Sequence, residues 1–182
     1  MLLKRLFDLF FSLLLIITLS PVLVLGYVLV SIDTLSNGLF TQKRIGQYGV
    51  PFTIFKLKTI RPKTKKISPV GKLLRKSKID ELPQLFNVLF GAMSFVGPRP
   101  DVPGYYDKLE GEFKKILELK PGITCEASIK YTDEEIILEK QVNPLQYNDE
   151  VIFPDKLKMN LEYYNQQSFW LDIKILFRTI VR

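Results

Sequence analysis

The sequence predicts a mixed α/β, helix-rich, membrane-associated domain, and three observations carry that expectation. An uncharged apolar stretch runs from Leu9 to Val30. Two short segments suited to strands follow across a glycine-bearing turn. Beyond them, apolar residues recur at helical spacing. With 182 residues, 47% of them hydrophobic, the chain is about the size of one domain and can bury a core of its own.

As an ideal helix, the twenty-two residues from Leu9 to Val30 would reach about 33 Å, enough to cross a hydrocarbon core. A cleavable signal peptide does not fit, because the apolar part is too long and no small-residue cleavage site follows. Hydropathy alone allows a single-pass transmembrane helix. Two features favour another arrangement. Ser20-Pro21 interrupts the run, where proline removes a backbone hydrogen bond. Basic residues also flank both ends, Lys4 and Arg5 before it and Lys43 and Arg44 after it, so the positive-inside bias selects no orientation. A re-entrant helix that bends at Ser20-Pro21 and returns to the same face satisfies both.

Leu39 to Arg44 and Phe52 to Lys58 are predicted strands of a small β-hairpin, joined across Ile45-Gly46-Gln47-Tyr48-Gly49. In the second strand Phe55 and Leu57 are expected inward, with Lys56 and Lys58 on the other face. Ser68-Pro69 opens a helix with a capping residue and a first-turn proline; Val70, Leu73 and Leu74 give it an apolar stripe, and Arg75 and Lys76 end it. A further helix is expected from about Asp80, with Leu82, Leu85, Phe86 and Leu89 on one side and Gly91 as its stop. Ile123, Cys125, Ala127 and Ile129 alternate with polar residues, which predicts a strand over Gly122 to Tyr131. At the C-terminus, Phe169, Trp170, Ile173, Leu176, Phe177 and Ile180 form an apolar side, while Lys174, Arg178 and Arg182 can reach lipid headgroups. That pattern suits an amphipathic interfacial helix and equally one packed on the core.

The formal charge is +7, and the excess of base is local. Between Asp33 and Asp80 there is no acidic residue, while twelve Lys/Arg lie from Lys43 to Lys78. Residues 101–182 carry fifteen acids against eleven bases. The basic surface therefore points to an anionic ligand or a membrane face near residues 43–78. The single cysteine, Cys125, excludes an internal disulfide framework, and the absence of His excludes Ser-His-Asp hydrolysis and Cys/His zinc chemistry. Acid, base or nucleophile must come mainly from carboxylates, Lys or Tyr.

The acid-free run ends at the adjacent carboxylates Asp80 and Glu81. Asp80 stands where a helix N-cap belongs, with Pro83 in the first turn. The same position suits a reactive carboxylate kept ionised by the helix terminus and by Arg75 and Lys78. Glu81 is either a solvated first-turn acid or, with Asp80, an oxygen ligand for a hard cation such as Mg²⁺. In Gly97-Pro98-Arg99-Pro100, one guanidinium lies between two prolines; it can clamp a phosphate bidentately or simply occupy a surface turn. A nucleic-acid or anionic-lipid binding module would explain the charge. It would explain neither DELPQ followed by GPRP nor the near-neutral C-terminal half, so no nucleic-acid partner is expected.

These residues resemble the bacterial sugar transferases that are monotopic polyprenyl-phosphate phosphoglycosyl transferases, in their minimal catalytic form. The likeness lies in the apolar segment with Ser20-Pro21, FKLKT at 55–59, GKLLRKSKIDELPQLFNVLFGAMSFVGPRP at 71–100, PGIT at 121–124 and SFWLDIKILFRTI at 168–180. It implies transfer of a sugar-1-phosphate from a UDP-sugar to polyprenyl phosphate with release of UMP, at the cytoplasmic face of the bacterial inner membrane. It further implies Asp80 as nucleophile and Glu81 beside it at Mg²⁺ and the phosphates. Lys58, Arg75 and Arg99, with Pro100 in the same turn, fall where the donor phosphates bind. Residues 1–36 are then expected as the re-entrant membrane helix and 37–182 as the catalytic domain, with membrane lipid a partner and a homodimer left open. Ile60 stands where Met often follows the KT pair, the loop Arg61–Ile67 is short, and PGIT continues as CEASIKY, so sugar specificity does not carry over. The likeness also gives the acid-free run a meaning: two anionic substrates must reach one site, and only the carboxylates that do the chemistry are kept.

Overall fold

A computed structural model describes residues 2–181. Met1 and Arg182, the latter expected at lipid headgroups, lie outside the described residues. The chain forms two compact units, Met1–Arg44 with Pro51–Met93, and Ile45–Val50 with Ser94–Arg182.

The first unit opens with α1, Leu2–Thr34, the one described helix long and apolar enough to cross a membrane. The helix is assigned without interruption through Pro21. Pro21 has no N–H for the Ile17 carbonyl, and Ser20 Oγ donates to that carbonyl at 2.8 Å instead. Burial is confined to the helix ends: Asp8 and Ser12 near one, Gly26, Val30 and Thr34 near the other. Phe10, Ile17 and Val24 are among the many exposed apolar side chains between and around them. Toward its start, Arg5 donates to the carbonyls of Val88 and Leu89 at 2.7 and 2.9 Å. Toward its end, Val30 joins Leu57 and Leu74 in a core flanked by Val70 and Ile79.

Strands β1, Leu39–Ile45, and β2, Pro51–Leu57, pair in a two-stranded sheet. The short connection between them forces the antiparallel hairpin predicted from sequence. Its turn places Tyr48 and Gly49 in the left-handed region, at φ 58° and 75°. Leu57 is buried as expected, whereas the second buried apolar residue of β2 is Ile54 and Phe55 is half-buried. Helix α2, Pro69–Lys76, begins at the predicted cap, with Ser68 Oγ accepting from Gly71 N–H at 3.0 Å.

The next predicted helix starts later than expected. Residues Ile79–Glu81 form a 3₁₀ turn, and α3 spans Gln84–Leu89. Pro83 explains the delay. It has no N–H to give the Ile79 carbonyl, which accepts instead from Leu82 at 3.2 Å, the tighter 3₁₀ pattern. Gly91, at φ 85°, ends the segment as predicted.

In the second unit, β3, Ser94–Val96, and β4, Gly122–Thr124, pair in parallel with Ser94 opposite Gly122 and Val96 opposite Thr124. The intervening chain crosses over through 3₁₀ turns at Tyr106–Lys108 and Gly111–Glu118. The strand expected over Gly122 to Tyr131 is corrected: only its first three residues are extended, and Glu126–Lys130 is a short helix, α4. Cys125 caps it, its Sγ accepting from Ser128 N–H at 3.3 Å, and Cys125 and Ile129 also satisfy helical i, i+4 spacing. Helices α5, Glu134–Glu139, α6, Pro144–Tyr147, α7, Phe153–Gln166, and α8, Phe169–Ile180, complete the unit. Its core gathers Ile45, Tyr106, Ile116 and Leu157. Helix α8 divides its apolar residues: Ile175 is buried beside Asp172, while Trp170, Phe177 and Ile180 are 78%, 64% and 81% exposed.

Candidate active site

The candidate site is built on the turn that follows α2. Lys78 adopts a left-handed conformation, φ 58°, and turns the chain into Ile79–Glu81. Asp80 is only 7% exposed, and its Oδ1 is buried without a hydrogen-bond partner. It is not the helix cap anticipated as one of its two roles: no side chain caps the 3₁₀ turn, and the residue before α3 is Pro83.

Burial raises the Asp80 carboxyl above its ordinary value of 3.8, and the neighbouring Glu81 charge raises it further. Lys56, Arg75 and Lys78 oppose that shift, in this order. A carboxylate so placed is desolvated and ringed by cations. Glu81 is held differently, its Oε1 accepting from Lys56 Nζ at 2.8 Å, with the two side chains 13% and 19% exposed.

Of the residues picked from sequence, Asp80, Glu81 and Arg75 come together here. Lys58 lies on the same strand as Lys56, but its Nζ donates to Ser36 Oγ at 3.3 Å, beside the end of α1. Arg99 and Pro100 belong to the second unit, where they line a small recess with Tyr106 and Ile116. Their turn is anchored by two glycines. A Cβ on Gly122 would fall 2.2 Å from the Gly97 nitrogen, and one on Gly97 would fall 2.2 Å from the Lys120 carbonyl oxygen. Only glycine permits that approach, so the GPRP and PGIT segments interlock backbone to backbone.

The profile of the family described as "Bacterial sugar transferase" matches residues 1–182. The chain belongs to that family. It is similar to a UDP-glucose:undecaprenyl-phosphate glucose-1-phosphate transferase of Klebsiella pneumoniae, 34% identical over 200 residues that cover 100% of this chain and 40% of that protein. It is also similar to an undecaprenyl-phosphate glucose phosphotransferase of Komagataeibacter xylinus, 35% identical over 202 residues covering 100% and 36%. A third relative, the "Uncharacterized sugar transferase EpsL" of Bacillus subtilis (strain 168), is 34% identical over 190 residues covering 99% and 86%. The chain thus spans well under half the length of the first two relatives.

In this bacterial sugar transferase, Lys56 is the candidate-site residue that sequence reasoning misses, whereas Lys78 stands near Asp80 as expected. From sequence, Lys56 is expected only on the face of β2 opposite Phe55 and Leu57. The signal for Lys56 was present in FKLKT, where two lysines two apart share one strand face. Which of them meets the carboxylates depends on a partner 25 residues away.

The residues also fit a divalent cation of the Mg²⁺ type. No group of three or more His, Cys, Asp or Glu is close enough among the described residues to form an all-protein cage. Two adjacent carboxylates, one with an orphaned buried oxygen, match the alternative in which the ion is shared between one or two carboxylates and substrate phosphates.

Proposed function

We propose that the protein transfers a sugar-1-phosphate from a UDP-sugar to undecaprenyl or a related polyprenyl phosphate, giving a polyprenyl-diphosphate-sugar and UMP. It would act at the cytoplasmic face of the bacterial inner membrane, as the first membrane step of capsule, O-antigen, exopolysaccharide or glycoprotein synthesis. The observation that carries this reading is Asp80: buried, with an unpartnered oxygen, beside Glu81 and among Lys56, Arg75 and Lys78.

An Asp80 oxygen attacks the phosphorus bonded to the sugar. The bond from that phosphorus to the bridging oxygen breaks, and UMP leaves with the electron pair. The product is a phosphosugar-aspartate, an acyl phosphate. An oxygen of polyprenyl phosphate then attacks the same phosphorus, the acyl-phosphate bond breaks, and the Asp80 carboxylate is restored. Burial removes water from the nucleophile, and the absence of His leaves no conventional base to activate a hydroxyl. Lys56 holds Glu81, while Arg75 and Lys78 offset the negative charge that a diphosphate brings to two carboxylates. Lys58, directly after the strand that carries Lys56, supplies a further cation for phosphate oxygens. Mg²⁺, held by Asp80 and Glu81, would neutralise charge on the phosphoryl oxygens.

The membrane reading is a re-entrant α1. Arg5 grips Val88 and Leu89, while Gly26 packs close to Leu57 and Ile79. Between these two attachment points lies Ser20-Pro21, and proline is where sharp helix kinks arise. Exposed Trp170, Phe177 and Ile180 on α8 suit a membrane interface.

The deciding experiment combines purified protein, undecaprenyl phosphate, Mg²⁺ and a panel of UDP-sugars headed by UDP-glucose, with UMP release as the readout. One donor should release UMP, and that donor alone should add a sugar-phosphate mass to the intact protein. Release without the adduct would remove the covalent step; no release with any donor would remove the transferase reading. For topology, single cysteines at Leu2 and Gln47 in a Cys125→Ser background should both resist an impermeant thiol reagent in intact cells and react in inverted vesicles. Labelling of position 2 from outside would establish a spanning helix.

A further inference from the structure

Asn87 lies on α3, six residues after Glu81, and is 3% exposed. Its Oδ1 accepts from the Phe55 N–H at 3.1 Å and its Nδ2 donates to the Thr53 carbonyl at 2.7 Å. Among the described residues, β2 pairs only with β1. Lys58 N–H is bonded to Gly38 on the β1 side, so by strand alternation Thr53 and Phe55 turn their backbone groups to the opposite edge. Asn87 thus presents its amide where a third strand would present a peptide group, with donor and acceptor side by side. Asp and Ala each lack at least one of the two.

The next residue along β2 is Lys56, whose Nζ meets Glu81 Oε1 at 2.8 Å. Two backbone bonds and one ion pair therefore join the same strand to the same 79–89 segment, within a few residues of Asp80. A lysine side chain has several rotatable bonds and does not by itself fix the spacing between two elements. The amide clamp does. We propose that Asn87 is a positioning residue for the transfer reaction: it sets β2 against the Asp80–Glu81 turn, so that Lys56 rather than solvent balances the Glu81 charge when a phosphate arrives. The proposal rests on the transferase reading for its kinetic consequence and on the backbone clamp alone for its structural one.

The test is a double-mutant cycle of Asn87→Ala and Lys56→Met in the full-length protein, with hydrogen exchange at the Phe55 amide as a readout that needs no turnover. If Asn87 acts through Lys56, each single variant should lose about tenfold or more in kcat, with the donor KM within about twofold of wild type. The double variant should then lose no more than the worse single, whereas independent roles would multiply the losses. The Phe55 amide should exchange faster in Asn87→Ala and remain protected in Lys56→Met. Should Asn87→Ala fail to melt cooperatively, Asn87→Leu takes its place, since it fills a similar volume and removes both the acceptor for Phe55 and the donor to Thr53. Multiplied losses, or unchanged exchange at Phe55, would overturn the proposal. A wild-type protein inactive with every donor would instead remove the transferase reading, while the exchange result would still decide whether the clamp exists.

Discussion

The two compact units use charged side chains in opposite ways. The first carries fourteen Lys/Arg against four Asp/Glu, the second twelve against fifteen. In the second unit, acids close on nearby partners: Asp155 on Lys130 and Tyr131, Glu134 on Lys156, Glu126 on Arg178, and buried Asp172 on Tyr163. In the first, Asp33 does the same with Arg61 and the N-terminus of α2, but Asp80 keeps a buried oxygen without a partner. Burial of an unpaired carboxylate is unfavourable, and a fold retains it where reactivity matters more than stability. The contrast separates carboxylates that hold helices together from one that is left available for chemistry.

The largest effect should come from Asp80→Asn. Turnover should fall by about 10³-fold or more, as expected for loss of a nucleophile, measured by UMP release. Stability should move the other way. Burial and Glu81 hold this carboxyl above 3.8 in the folded protein, so its protonated form is favoured by folding and its ionised form is not. A group of this sign adds stability below its ordinary value and loses it as the pH climbs through the raised value. At neutral pH the Asn variant should therefore melt higher than wild type, an advantage that should fade below about pH 4. For the same reason, the acid limb of kcat/KM in the wild type should lie above the ordinary carboxylate range. A lower melting temperature for Asp80→Asn at neutral pH would place Asp80 with the structural acids of the second unit.

Arginine-to-lysine changes sharpen the comparison at equal charge. Arg75→Lys should cost about 10- to 100-fold in kcat/KM, because the two-pronged guanidinium geometry is lost where phosphate binds. Arg178→Lys, at the Glu126 pair, should leave kcat/KM within about twofold, since an exposed pair contributes little. Equal losses at the two positions would erase the distinction between reagent and support. Gly122→Ala tests packing instead: its Cβ would strike the Gly97 backbone, so we expect about 2 kcal/mol of destabilisation by thermal melting. The smallest effect should be Lys156→Met, about 1 kcal/mol or less, because its Glu134 partner remains partly solvated. A greater loss there than at Gly122 would mean that charge, rather than backbone contact, organises the second unit.

Much of this protein was settled by sequence-local physics. The length and apolarity of Leu9 to Val30, the Ser68 cap, the glycine turn of the hairpin and the Gly91 stop follow from residue type and spacing. The absence of His and the acid-free run ending at Asp80-Glu81 narrow the chemistry from residue type alone. Even the delayed start of α3 was implicit in Pro83, whose missing N–H acts on a carbonyl four residues back. Tertiary structure decided what depends on distant partners. Alternating residues at 123–129 looked like a strand, yet Cys125 closes a helical turn, a choice made once the parallel pairing ends at Thr124. Asp80 could cap a helix or stay reactive, and only packing showed it buried and unpartnered. Lys56 and Lys58 are nearly equivalent in sequence, but one finds Glu81 and the other Ser36. Asn87 carries no local sign of its role, because the two peptide groups it bridges lie more than thirty residues away. Local propensity acts over a few residues, whereas desolvation and ion pairing are set by whatever the fold brings within a few ångströms.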